Sequence, residues 1–145
     1  MDNNRADYYD LVRQLVEGDH EAYARRCSEL DQKGWEGLGL VVGAAFYQAV
    51  EQRFGDSLDP SEVIRFVADF RADITDTGFE VDPRIAENLI RAAITGDTEQ
   101  VRDLDPSVVV EAEMLMLWKF LGHLSGAELT LFFEEADSLV VEWSK

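Results

Sequence analysis

Three Asp-Pro pairs and a series of isolated glycines divide this chain into segments that suit α-helices. Asp59, Asp82 and Asp105 each stand before a proline, a residue whose missing N–H costs nothing at the first helical position. Residues 125–128, Ser-Gly-Ala-Glu, have the pattern of a capping box. Helices are expected to stop at Gly18, Gly55, Gly78 and Gly96. These signals predict about eight helices, over residues 5–17, 20–33, 36–54, 60–77, 83–95, 98–103, 107–123 and 126–143.

The spacing of the apolar residues supports the same division. The fourth and eighth predicted helices each carry an apolar stripe on one side and acidic residues on the other. Residues 38–47 and 108–121 are apolar on nearly every side, which predicts that these two helices run through the centre. No segment alternates apolar and polar residues between turns as a strand does. We therefore expect an all-α fold, with a single globular domain over residues 1–145.

The glycine-rich segment over residues 35–50 raises the question of a phosphate-binding loop. Such a loop follows a strand and leads into a helix, whereas residues 25–34 have the polar pattern of a helix end. Gly39 and Gly43 lie one turn apart on a helix that is predicted to be buried. We therefore interpret them as positions where another helix approaches closely.

Two segments of the chain resemble each other. Residues 10–26 align with residues 88–104 at an offset of 78, and both predict a helix, a glycine stop, an aspartate cap and a second helix. An apolar helix and a capped amphipathic helix follow in each case. Either a four-helix unit is duplicated over residues 8–77 and 86–143, or Gly-Asp is a favourable joint that two unrelated corners share. A duplication predicts that the central helices pack about a pseudo-twofold axis.

The charge balance limits the partners that this chain can bind. It has 30 acidic and 13 basic residues and a formal net charge of -17. Phosphate-rich partners are repelled at long range, so neither nucleic acid nor a membrane is an expected partner. The acidity either serves solubility or provides a surface for a basic protein. Because the first residues lack the pattern of a signal peptide and no long apolar run exists, a cytoplasmic location is expected.

Carboxylates are the only abundant side chains with catalytic or metal-binding chemistry. The two histidines and the single cysteine lack the spacing of a di-iron or zinc site, and no cofactor is predicted. Spacings that place oxygens on one helical face, as a magnesium site in an all-α phosphohydrolase requires, occur twice. The residues are Asp69, Asp73 and Asp76 in one helix and Glu134 and Asp137 in another. Such spacings arise by chance in so acidic a chain, and no basic cluster that would hold a diphosphate is apparent.

Glu113 is a carboxylate that falls near the middle of an apolar helical arc, between residues such as Leu117 and Phe120. A glutamate in that position must pair with a base, take up a proton or reach water. An arginine from another helix, such as Arg13 or Arg91, is the expected partner. The alternative is that Glu113 is a polar anchor in a ligand pocket or a subunit contact.

These features favour a non-enzymatic, acidic interaction protein of regulatory, adaptor, immunity or antitoxin type that binds a basic protein surface. Leu131 and Val141, on the acidic side of the last helix, are the candidate apolar contacts, and Glu113 is a further candidate binding residue. The alternative is a magnesium-dependent, phosphohydrolase-like enzyme or a small-molecule binder. It would use a carboxylate-lined pocket between the two halves.

Overall fold

The predicted capping residues form the hydrogen bonds that begin the helices. In the computed structural model, which describes residues 4–55 and 59–145, Asp59, Asp82 and Asp105 each accept a hydrogen bond from the backbone N–H two residues further on. Ser125 and Glu128 form both bonds of the capping box, at 2.9 and 3.2 Å. Each bond satisfies a backbone donor that has no partner inside its helix, so the sequence signals act as predicted.

The described residues form seven α-helices and one short 3₁₀-helix. Their bounds are α1 Asn4–Glu17, α2 His20–Lys33, α3 Leu38–Phe54, α4 Pro60–Ile74, the 3₁₀-helix Thr75–Thr77, α5 Pro83–Thr95, α6 Pro106–Leu121 and α7 Gly126–Trp143. No described residue belongs to a strand, and one continuous core joins the helices. The all-α class is confirmed, and the described chain is one compact domain. None of the helices in the described ranges has both the length and the apolar character needed to cross a membrane.

The predicted short helix over residues 98–103 is wrong, because this segment forms turns. The Asp97 side chain accepts from the backbone N–H of Glu99 at 3.0 Å. The same bond begins α4, α5 and α6, but here it closes an Asx turn that no helix directly follows. The backbone N–H of Val101 then donates to the carbonyl of Thr98, three residues back. Only a few residues separate this turn from Pro106, too few to offset the cost of starting a helix.

The two central helices lie where the apolar pattern predicts. α3 packs against α1, α5, α6 and α7, and α6 packs against α1, α3 and α5. Side chains on most sides of α3 and α6 are buried, apart from exposed positions such as Leu40 and Val108, whereas α4 and α7 bury one stripe each. An aromatic cluster closes the core between α3, α4 and α6. Its members are Phe46, Phe54, Phe66, Phe70 and Phe120, and the rings of Phe66 and Phe120 stack at 4.3 Å.

Gly39 and Gly43 do not mark a close approach of another helix, and this interpretation is wrong. A Cβ atom at Gly39 would lie 3.9 Å from Val110 Cγ2, which is ordinary van der Waals contact. A Cβ atom at Gly43 would meet nothing within 4 Å. Both positions therefore have room for the methyl group of alanine.

The duplication stays a prediction. α1 and α5 occupy similar places, since each packs against both α3 and α6. However, α2 follows α1, whereas turns follow α5. The two Gly-Asp corners are thus alike in sequence while the segments that follow them differ in structure.

Candidate functional site

The outer side of α7 carries exposed apolar side chains among carboxylates. We call it the α7 face and define it as Glu128, Leu131, Glu134, Glu135, Ser138, Val141 and Glu142, all of which are exposed. Leu131 keeps 60% and Val141 43% of its surface in solvent. Residues 126–143 contain no lysine, arginine or histidine. The two candidate apolar contacts therefore lie about 15 Å apart along the axis of a helix without a cation of its own. Lys145, just beyond the helix end, forms an ion pair with Glu142 at 3.2 Å.

The opposite side of α7 is fixed to α1 by polar contacts as well as by the core. Asp137 forms an ion pair with Arg5 at 2.8 Å and accepts a hydrogen bond from the Tyr9 hydroxyl at 2.9 Å. Burial and the bond to Asp137 raise the pKa of Tyr9, which therefore keeps its proton as the donor. Arg13 donates to the Thr130 hydroxyl at 2.7 Å. These bonds hold the helix in one orientation, with the α7 face outwards.

The three aspartates of the fourth helix do not form a common site. Asp73 binds the ammonium group of Lys119 at 2.6 Å, which fastens α4 to α6. Asp69 lines a cavity between α3, α4 and α6, and Asp76 lies in the exposed 3₁₀-helix. Asp69 and Asp76 therefore lie in different surroundings, and Asp73 already binds a cation.

The Glu134 and Asp137 pair is likewise divided, since Glu134 belongs to the α7 face while Asp137 faces α1. Among the residues that the structure describes, no group of three or more histidine, cysteine, aspartate or glutamate side chains is placed to hold a metal ion. Both sets of carboxylates have the spacing of one helical face. Among the described residues, however, neither set belongs to a group of three or more such side chains that could share a metal ion.

Glu113 is buried in α6 but lacks the arginine partner that the sequence predicts. Its side chain is 8% exposed and makes no hydrogen bond or ion pair with a described residue. Arg13 is bound to Thr130 and Gly126, and Arg91 lies 3.8 Å from Glu87. Burial alone raises the pKa of Glu113 to about 8, because the core disfavours the charged form. At neutral pH the group is mostly protonated, so burial is tolerated without a cation.

A basic cavity lies where the ends of α3 and α6 meet α4. It has a volume of about 460 Å³, and its polar lining comprises Gln52, Arg53, Arg65, Asp69, Lys119 and His123. Phe66 and Phe120 form part of its apolar wall. Three cations and a histidine thus face one carboxylate in a chain with few basic residues. No segment of the sequence shows this group, because folding brings together cations from three different helices.

No protein-family model, no curated protein and no solved structure matches this chain.

Proposed function

We propose that this chain is a non-enzymatic, acidic interaction protein of regulatory, adaptor, immunity or antitoxin type. In this proposal it binds a basic surface of another protein through the α7 face. The observation that carries the proposal is the exposure of Leu131 and Val141 on a helix that has carboxylates around them and no basic side chain.

The charge of the α7 face selects the kind of partner. Glu134, Glu135 and Glu142 lie beside the two apolar side chains, and the whole chain carries a net charge of -17. A partner with lysine or arginine around an apolar patch is attracted before contact, which raises the association rate. An acidic partner is repelled by the same field. The charge thus raises the association rate with a basic partner and disfavours an acidic one.

The apolar side chains supply the affinity once the partner is in place. Fully burying a leucine or valine side chain contributes about 1.5–3 kcal/mol, and Leu131 and Val141 have roughly half of that left to gain. The bonds of Asp137 and Arg13 already fix α7 against α1, so little ordering of this helix is needed on binding. We therefore expect Leu131 to be the main apolar contact because it is the more exposed of the two.

The test uses a synthetic amphipathic peptide of lysine and leucine as a basic probe. We expect Leu131→Ser combined with Val141→Ser to weaken binding of the peptide about tenfold. The matched control is Ile64→Ser combined with Val108→Ser, which removes side chains of similar exposure, 49% and 40%, from other helices. The control should change the dissociation constant by less than about twofold. Titration calorimetry at constant salt measures both.

A second comparison separates the local carboxylates from the net charge. Glu134→Gln with Glu135→Gln and Glu51→Gln with Glu62→Gln each remove two exposed charges, but only the first pair lies on the α7 face. The first pair should lower the association rate more, and the difference should shrink above about 0.3 M salt as screening shortens the range of the field. Equal effects of both pairs, together with no effect of the serine variants, would show that the probe binds the acidic surface at large and that the α7 face is not a site.

A further inference from the structure

Most of the basic side chains that the structure describes are neutralised by carboxylates. Those in ion pairs are Arg5, Arg13, Arg26, Arg91, Arg102, Lys119 and Lys145. Five arginine side chains form no hydrogen bond or ion pair with a described residue, namely Arg25, Arg53, Arg65, Arg71 and Arg84. Among these, Arg53 and Arg65 share the basic cavity, whereas Arg71 and Arg84 line separate ones. In a chain with 30 acidic residues, two exposed arginines that line one cavity and form no ion pair, even with Asp69 in the same lining, need an explanation.

Helix ends explain only part of this cluster. Arg53 and Lys119 lie in the last turns of α3 and α6, where the helix dipole stabilises a cation. Arg65 lies in the second turn of α4, where the dipole offers no such stabilisation. Arg53 also packs over the ring of Phe54 at 5.1 Å, whereas Lys119 is held by Asp73. The arginines are therefore the cations of this cavity that no ion pair neutralises. The hydrogen bonds from Ser61 are the main causes that lower the pKa of Asp59, and the charge of Arg65 is only the last of these causes.

The other cavities described lack this excess of positive charge. The cavity beside Phe79 has one arginine, Arg71, and two carboxylates. The cavity along α5 has Arg84 and Arg91 with two carboxylates, and the small one beside Ile85 has three carboxylates and no cation. The lining of the basic cavity therefore attracts an anion. The linings of the other three cavities are balanced or negative in charge and do not.

We propose that the basic cavity binds a small organic anion that joins one carboxylate or phosphate group to an apolar, aromatic body. Arg53 and Arg65 would bind the anionic group, since a guanidinium group donates two parallel hydrogen bonds to a carboxylate or phosphate. Phe66 and Phe120 are 6% and 7% exposed, so the aromatic body would contact the small part of these side chains that faces the cavity, together with Leu124. A volume of about 460 Å³ suits a ligand of this size.

The net charge of the molecule restricts the ligand to a small one. Charges more than about 8 Å away are largely screened at physiological ionic strength, so a small anion inside the cavity feels mainly the cations that line it. A polyanion such as nucleic acid would extend beyond the cavity over a surface that carries the net charge of -17. The same arginines therefore accept a ligand of low charge and do not make the protein a nucleic-acid binder.

The test titrates the full chain with phenyl phosphate, benzoate, inorganic phosphate and benzamide at constant ionic strength, with backbone amide shifts as the readout. We expect phenyl phosphate or benzoate to bind with a dissociation constant of about 1 mM or below and to shift the amides of Arg53, Leu121 and Leu124. Inorganic phosphate lacks the aromatic body and benzamide lacks the charge, so both should bind at least about tenfold more weakly. Comparison of phenyl phosphate with benzoate distinguishes a phosphate ligand from a carboxylate ligand.

The decisive variant is Arg53→Gln combined with Arg65→Gln, which should weaken binding of the better aromatic anion by about tenfold or more. Its control is Arg71→Gln combined with Arg84→Gln, which changes the net charge from -17 to -19 in the same way but outside the cavity. All four arginines are exposed, so both variants should keep the wild-type circular dichroism and melting temperature.

The control should stay within about twofold of the wild type. Equal losses in both variants would overturn the proposal, since they would show only a response to net charge. Absence of binding of both aromatic anions up to about 20 mM, or equal binding of phosphate and phenyl phosphate, would overturn it as well.

Discussion

Glu113 places a carboxyl group in the core without a partner, so the folded protein keeps a proton that the unfolded chain gives up. Burial raises its pKa from 4.5 to about 8 in the folded state. Between these two values the folded state binds more protons than the unfolded state, and stability therefore falls as the pH rises. Below the lower value both states are protonated, and above the upper value the loss is complete. Over this window the loss amounts to about 5 kcal/mol.

We expect Glu113→Met to be more stable than the wild type at pH 8 and to lose this advantage as the pH falls towards 5. Methionine fills a similar volume and carries no charge that the core must desolvate. The difference in the free energy of unfolding should change by about 1.4 kcal/mol per pH unit at most, because one proton is involved. Urea denaturation of both proteins at pH 5, 6, 7 and 8 measures it.

The control for this series is Glu111→Met on the same helix, where the carboxylate is exposed. Its difference from the wild type should not follow the pH in this way. A Glu113→Met curve parallel to that of the wild type would mean that the carboxyl group finds a cation or water in the folded state. With a cation as the partner, Glu113→Ala is a pair-breaking change that costs about 3–5 kcal/mol, whereas with water it changes the stability by no more than about 0.5 kcal/mol.

At the scale of the element, the helices were predictable because their start signals are local. The carboxylate of Asp82 and the ring of Pro83 determine the start of α5 without help from the rest of the chain. The prediction failed over residues 98–103, where the same type of aspartate signal closes a turn. A capping residue does not determine how many helical residues follow it. The sequence after Asp97 was therefore compatible with either a turn or a short helix.

The two candidate sites also differ in whether the sequence signal is local. The α7 face lies on one helix, so the helical periodicity of the sequence is enough to indicate Leu131 and Val141. The basic cavity joins Arg53 of α3, Arg65 of α4 and Lys119 of α6, which are far apart in the sequence. No spacing links them. The only local signal was that the two helices expected at the centre each have a cation in the last turn. This signal indicates a common site only if the ends of the two helices are known to lie together.

Gly43 provides a test of packing within α3. Glycine inside a helix costs roughly 0.5–1 kcal/mol relative to alanine, because the unfolded chain has more conformations to lose. A Cβ atom at this position would meet nothing within 4 Å. We therefore expect Gly43→Ala to raise the free energy of unfolding by about that amount, as measured by urea denaturation.

Gly96→Ala is the opposite control, since Gly96 ends α5 with a φ of +79° that alanine adopts only with strain. It should destabilise the protein. Destabilisation by Gly43→Ala as well would restore the interpretation that a neighbouring helix approaches α3 closely at this point.

At the scale of the whole molecule, several of the scarce cations join helices that are distant in the sequence. Arg5 connects α1 to Asp137 of α7, and Lys119 connects α6 to Asp73 of α4. Arg26 binds three carboxylates, two of them on α1. Most of the other carboxylates that the structure describes face solvent and repel one another. This repulsion destabilises the fold more as salt is removed.

Cations should therefore stabilise the folded protein by screening and not by filling a magnesium site. The range of the repulsion shortens from about 10 Å at 0.1 M salt to about 3 Å at 1 M, and the melting temperature should rise smoothly over this interval. Magnesium chloride should follow sodium chloride of matched ionic strength without a saturating step. Asp73 already binds Lys119, and the described residues offer no group of three or more ligands.

Two sets of variants decide between screening and a metal site. Asp69, Asp73 and Asp76 changed together to asparagine, and Glu51, Glu62 and Asp103 changed to their amides, both move the net charge from -17 to -14. Screening predicts that the two sets reduce the response to magnesium equally, because it depends on charge and not on position. A saturable, magnesium-specific shift that grows with the logarithm of the metal concentration is the signature of a site. If only the first set abolished such a shift, or if Glu134→Gln with Asp137→Asn did so, the carboxylates would bind the metal and the chain would be better described as a magnesium-dependent enzyme than as an acidic interaction protein.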